Sequence, residues 1–455
     1  MSQVKRLIIA FLFNVFFVAT AFSQGSDALD IYVQAEKYRQ AKNYKAAIEE
    51  YNKAIQKDPK NHKFVFQKAK CYLAIGDKDN ALNCFAKTAE LNEKYVDAYT
   101  WQANLYQERK DIPNTILNLD KAFQFETDQK KKVEYKVDII KLLYKSGKFD
   151  ATWEHIQDAK SQDENDLRVL YFEAHFANRN EKYHLAQVDM EKAITLLDSK
   201  DPKEISKYYY ELGYAYHHLE EYQKAKETFA KANYGPFKGL ILELGPQFNY
   251  SVAYAFYQIY DLKRSLELVD YTLKIDPHYS AAHDLKVRIA EAFIDKSAII
   301  DQTKSALSSQ QGNEKWIAAK YFEMAEIELQ AGKYGDAIAS IEECLKLEPH
   351  NYNATFILAV SKYKSSLKDE AKDLLANAVT SHGVDHETKA KFHFTLGQIY
   401  KDLDDKKMAE EAFKAAHFGL FKYAAMKEIK SLKNEVNVVS DDSGEITKVE
   451  EETEF

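Results

Sequence analysis

The chain has 455 residues, enough for two or three folding units, and carries 63 Lys and Arg against 71 Asp and Glu. With only 14 Gly and 7 Pro it lacks the turn signals of a many-stranded β-sandwich, and 45% hydrophobic residues argue against wholesale disorder. A formal charge of −8 removes the simplest case for nucleic-acid binding, which needs a basic stripe.

In chain order, residues 1–23 read as a secretory signal. A basic start (Lys5, Arg6) precedes the apolar run Leu7 to Phe22, and small residues at Ala19, Ala21 and Ser23 suit cleavage after Ala21 or Ser23. The run is short for a spanning helix, and no later stretch approaches 18 apolar residues. The expectation is export, to the periplasm or outside the cell, with no transmembrane segment after cleavage. Cys71, Cys84 and Cys344 are too few for a disulfide framework and read as small buried hydrophobes.

From residue 28 a 34-residue period takes over. Ala35, Tyr38, Ala47, Tyr51 and Ala54 recur as Ala69, Tyr72, Ala81, Phe85 and Thr88, then as Ala103, Tyr106, Thr115, Leu119 and Ala122. Later copies carry Leu212–Gly213–Tyr216–Ala225–Phe229–Ala232, then Ala325–Tyr334–Ala337–Ile341–Cys344 and Leu396–Gly397–Tyr400–Ala409–Phe413–Ala416. Each copy holds two apolar patterns of 3.6 period around a polar break, which is a pair of antiparallel helices. The copy at Ser280–Leu307 is the most degenerate. A second symmetry, offset by 184 residues, pairs Leu212 through Lys238 with Leu396 through Lys422. The Gly- and Pro-bearing stretch Tyr234 to Pro246 reads as a joint between two blocks, 27–240 and 246–432. A capping helix closes the second over 418–432. The tail 433–455, with eight acids and one base from Asn434 onward, reads as disordered.

This pattern resembles the tetratricopeptide repeat family over roughly residues 28–416, in about ten or eleven copies. The resemblance implies an all-α, right-handed superhelix (an α-solenoid) whose first helices line a concave groove, with their fifth and ninth places pointing inward. The fifth place reads Tyr32, Phe66, Tyr171, Tyr210, Tyr250, Phe322, Phe356 and Phe394 in eight of eleven copies, and the ninth adds Tyr214 and Tyr254. These ten aromatics are the candidate partner-binding surface, because Tyr and Phe offer large rigid contact area at low entropic cost. Packing among neighbouring first helices is the competing role.

Catalytic motifs are missing: there is no phosphate loop, nucleophile elbow, His-Glu-x-x-His or paired Cys-x-x-Cys, and no cofactor is implied. His382 and His386 form too incomplete a set for a metal. The expected function is a non-enzymatic scaffold of the bacterial cell envelope that holds a peptide or partner protein. The alternative is a glycan- or peptidoglycan-binding module on the same aromatic surface, with Asn249, Asp261 and Arg264 as its polar contacts.

Overall fold

The computed structural model describes residues 27–309 and 313–438, so the signal reading of 1–23 and most of the acidic tail lie outside it. Among the described residues there are helices and turns but no strand. The chain divides into two compact units, residues 1–197 and 198–455. The division follows Leu197, whereas the stretch Tyr234 to Pro246 expected to be the joint lies inside the second unit.

The described residues of the first unit form five hairpins. They are α1 (27–40) with α2 (Tyr44–Lys57), α3 (His62–Ala74) with α4 (Lys78–Leu91), α5 (Val96–Glu108) with α6 (Ile112–Phe125), α7 (Gln129–Lys145) with α8 (Phe149–Gln162), and α9 (Leu167–Arg179) with α10 (Tyr183–Thr195). Each second helix packs on the next first helix, as α2 does on α3 and α4 on α5. The 34-residue pattern is the pattern of burial. Small residues at the eighth place (Ala35, Ala69, Ala103, Ala174) are buried, as are Tyr51, Phe85, Leu119 and Met190 on the second helices. No hairpin can cover its own apolar face, so stacking supplies the core.

The second unit begins with the hairpin α11 (Pro202–His218) and α12 (Tyr222–Ala232), followed by the short α13 (Phe237–Leu244). Then come α14 (Pro246–Gln258) with α15 (Leu262–Ile275), α16 (Ser280–Ala292), α17 (Ser297–Ser309), α18 (Glu314–Gln330) with α19 (Tyr334–Leu347), α20 (Tyr352–Lys364) with α21 (Lys368–Val379), and α22 (His386–Asp402) with α23 (Lys406–Ala415). A 3-10 turn, Gly419–Phe421, leads into the last helix, α24 (Lys422–Val438). The helix thus runs past Leu432 to Val438, into the segment expected to be disordered.

The 184-residue symmetry is structural. Phe229 and Phe237 lie against the Tyr210 ring at 6.2 and 5.0 Å, and Phe413 and Phe421 lie against Phe394 at 5.6 and 5.5 Å. Gly213 and Gly397 are required there, because a Cβ at either position would collide with the ring of Phe229 or Phe413. Gly235 and Gly419 both turn the chain at φ +52°. The motif ends a stack in each case. On α12 the places held on α4 by Leu82, Ala86 and Ala89 carry Lys226, Ala230 and Asn233, all exposed. A cavity of about 860 Å³ remains between α12, α13 and the end of α15.

One turn type closes the hairpins. Lys42, Gly76, Lys110, Gly147, Glu181, Glu220, Tyr260, Gly332, Ser366 and Asp404 all have φ between 58° and 82°, one per connection. In each case the following N–H donates back to a carbonyl five residues earlier, as Asp77 does to Tyr72 and Asp405 to Tyr400. This is the left-handed helix ending, and it fixes the angle between the paired helices. The α16–α17 connection, residues 293–296, has no positive φ, and those two helices do not pair.

Candidate partner-binding surface

The ten sequence-selected aromatics fall into two groups. Phe66, Tyr171, Phe356 and Phe394 are buried. Tyr32, Tyr210, Tyr214, Tyr250, Tyr254 and Phe322 are half-buried.

The buried four are corrections to the groove expectation. Phe66 packs against Phe85 at 5.4 Å and Tyr95 at 5.0 Å, inside a hairpin stack. Tyr171 stacks on His175 at 5.9 Å and meets Phe172 at 5.5 Å. Phe356 stacks on Phe392 at 5.3 Å, and the Lys391 ammonium sits 4.3 Å from its ring centre. Burial lowers the pKa of that lysine. Phe394 meets Phe256 of α14 at 5.6 Å.

That last contact has a general cause. Helix α14 packs on its own partner α15 and also on the Gly419–Phe421 turn and α24, far along the chain. Phe248 lies 5.2 Å from Tyr423, Arg264 Nη1 donates to Gln398 Oε1 at 3.1 Å, and Tyr260 donates to Glu326 Oε1 at 2.6 Å. Helices α14 through α24 therefore close on themselves, and phenylalanines fill the inside. Phe248, Val252, Phe256, Phe356, Phe392, Phe394, Phe413 and Phe421 belong to one core.

The opposite face of α14 stays at the surface. Tyr250 and Tyr254 lie 6.2 Å apart, Tyr279 is 5.3 Å from Tyr250, and Tyr257 is 6.1 Å from Tyr254. Arg288 on α16 is exposed and near enough to act electrostatically on Tyr250 and Tyr257. Partial burial raises the pKa of both phenols, so they are neutral donors near pH 7. Four phenols and one guanidinium thus share a wall that offers apolar area together with hydrogen-bond donors. Tyr257 and Tyr279 are absent from the sequence selection. Tyr257 is legible as the next turn of the same α14 face, three residues past Tyr254, whereas Tyr279 precedes its helix and has no periodic signature.

Tyr210 and Tyr214 contact each other at 6.1 Å, and Tyr214 lies 4.3 Å from His218. Neighbouring His217 is buried, and burial pushes its pKa down to about 4, so it is neutral. It shares a 2.7 Å hydrogen bond with Tyr271. In the first unit Tyr32 stacks on Phe64 at 4.9 Å, and Glu36 bonds both Tyr51 and Arg39. Tyr144, also outside the sequence selection, bonds His175 at 2.7 Å and accepts from Arg179 at 3.1 Å.

The polar residues of the glycan alternative are engaged within the fold. Asn249 is buried and donates to the carbonyls of Glu243 and Gly245, and Asp261 caps α15. Arg264, besides its bond to Gln398, lies 5.4 Å over the Phe256 ring. His386 sits against Phe418 at 5.8 Å. Cys71 and Cys344 are buried free thiols, and burial pushes both up to about 11. No helix among the described residues is long and apolar enough to cross a membrane.

Family models of the tetratricopeptide repeat match residues 38–112, 206–234, 322–385 and 390–416. Solved structures that this chain matches include the TPR domain of P58(IPK), at 14% identity and TM-score 0.24, covering 90% of this chain and 99% of that one. YrrB, a TPR protein with an unusual peptide-binding site, is 16% identical with TM-score 0.30, over 52% of this chain and 97% of its own. A tetratricopeptide repeat protein from Parabacteroides merdae is 12% identical with TM-score 0.27, over 74% and 99%. No curated protein is similar in sequence.

Proposed function

The chain is a tetratricopeptide repeat protein, an all-α solenoid of a family that serves as protein-interaction scaffolds, and from that premise we propose that it holds an extended segment of a partner protein on the tyrosine wall of α14 and α16. The observation that carries the reading is the contrast between the two faces of α14. One face is spent on the phenylalanine core, while Tyr250, Tyr254, Tyr257 and Tyr279 stay half-buried beside the exposed Arg288. Phenol rings held by their own fold give contact area without losing side-chain freedom on binding, which is the character of interface hot spots. Arg288 supplies a planar fork for a carboxylate or backbone carbonyl on the guest. The protein acts without catalysis, as an exported scaffold of the cell envelope, its signal cleaved after Ala21 or Ser23.

The test for the wall is a Tyr250→Ala/Tyr254→Ala double variant of the full chain, assayed on a peptide array tiled from envelope proteins. Peptides captured by the parent are expected to be lost at unchanged helicity, and undiminished capture would reject the site. The same array exposed beside a glycan panel decides against the sugar reading if only peptides bind. Fractionation of cells producing the full-length chain tests export directly, with an N-terminus at Phe22 or Gln24 expected on the mature protein.

A further inference from the structure

The hairpin that fails to close exposes an apolar patch. In ten connections a left-handed residue folds the second helix back over the first, and the eighth place of the first helix is covered. Residues 293–296 lack that turn, and α17 packs on α18, with Ile300 buried, instead of pairing with α16, whose Val287 side is left exposed. The eighth place of α16 is Val287, which is 57% exposed, where Ala69, Ala253 and Ala325 are buried in their hairpins. Phe293, Ile294 and Ile299 are 61%, 62% and 48% exposed on either side of the gap. Both halves of a helix–helix interface are exposed among the described residues: the Val287 side of a first helix, and Ile299 on a second helix. Small exposed hydrophobes are ordinary when scattered, but four large ones around one opened hairpin mark a contact surface.

We propose that this opened hairpin is a homodimer contact, in which α17 of a second copy covers Val287, Phe293 and Ile294 while its own bare face receives α17 of the first. The argument for a second copy is continuity with an interface the fold already uses. The face around the eighth place is covered by a second helix in every closed hairpin, and α17 is the helix whose matching side is unspent. A two-fold axis through the gap satisfies both halves at once, the requirement for an isologous contact. The four side chains of this contact are distinct from those of the tyrosine wall, and the argument for them does not rest on the wall. Four side chains on two short helices make a small interface, so the dimer dissociates in the micromolar range.

Sedimentation of the full chain from about 1 to about 200 µM tests this, with a Phe293→Asp/Ile294→Asp variant alongside. The parent is expected to pass from monomer to dimer, and the variant to weaken the dissociation constant by about 100-fold or more at unchanged circular dichroism. A second measurement mixes two singly substituted chains, Val287→Cys and Ile299→Cys, each in a Cys84→Ser background, under mild oxidation. A covalent heterodimer is expected. A parent that stays monomeric throughout, a dimer indifferent to the aspartates, or mixed chains that fail to cross-link would each overturn the proposal.

Discussion

Tyr210 and Phe394 occupy the same place in two copies of one motif, with the same glycine beneath and the same pair of phenylalanines beside them, yet one stays half-buried and the other is sealed. The difference arises elsewhere in the chain. After Phe237 the helix lasts eight residues and stops at Gly245, whereas after Phe421 it runs on as the 17 residues of α24, and α14 returns to pack against it. An aromatic at the fifth place therefore announces a ring near the inner face, and the next covering helix decides whether that ring faces a guest or the core.

The contrast can be broken most forcefully at the ring itself. Phe394→Ala should cost about 3–5 kcal/mol by leaving a cavity in the closed core, while Tyr210→Ala at the open copy should cost less than half of that. Urea unfolding of the two variants compares them, and equal losses would show the copies to be equivalently packed. Gly397→Ala and Gly213→Ala come next, at about 1–3 kcal/mol each, because both place a Cβ on a phenylalanine ring. Here the copies should behave alike, which sharpens the claim that they differ only in what covers them.

A smaller effect, of opposite sign, tests the closing turns. Lys110 and Glu181 hold φ near 59° with side chains that disfavour it. Replacing either with Gly should stabilise the fold by about 0.5–1 kcal/mol, read as a rise in Tm. The same change at Phe293 or Ile294, where no left-handed residue exists, should give no gain.

A last effect, read in pH dependence, belongs to the first unit. Asp189 is buried beside Glu173, the two carboxylates share Lys160, and desolvation with the neighbouring acid pushes Asp189 up to about 6. The unfolded chain releases this proton near pH 3.8, so between there and about pH 6 the folded state holds more protons. This group's contribution therefore falls as pH rises through that window and is flat above it. Asp189→Asn should remove that slope and leave the first unit slightly more stable near pH 7, as thermal melts across the pH range would record.

Much of this architecture is legible along the chain. The 34-residue period marks the hairpins because each small residue at the eighth place sits under its own second helix, and the 184-residue offset marks both stack ends. The degenerate copy at Ser280–Leu307 coincides with the one hairpin that stays open, and Val287 in place of alanine is its local sign. The closure of α14 onto α22 and α24 is not legible. Phe248 and Phe256 meet Tyr423 and Phe394 across well over a hundred positions, and no local periodicity encodes such a contact. For the same reason Phe356 and Phe394 resemble groove residues in sequence while lying in the core. Asn249, Asp261 and Arg264 resemble free polar contacts although each is committed to a cap, a carbonyl or a ring.

The central claim is that α14 gives its phenylalanines to the core and offers its tyrosines at the surface. Hydroxyl-radical footprinting of the full chain, read residue by residue by mass spectrometry, measures this without a partner. The account predicts rapid oxidation at Tyr250, Tyr254 and Tyr279 and protection at Phe356, Phe392 and Phe394. Equal labelling of the two sets, or protected tyrosines beside reactive phenylalanines, would contradict it.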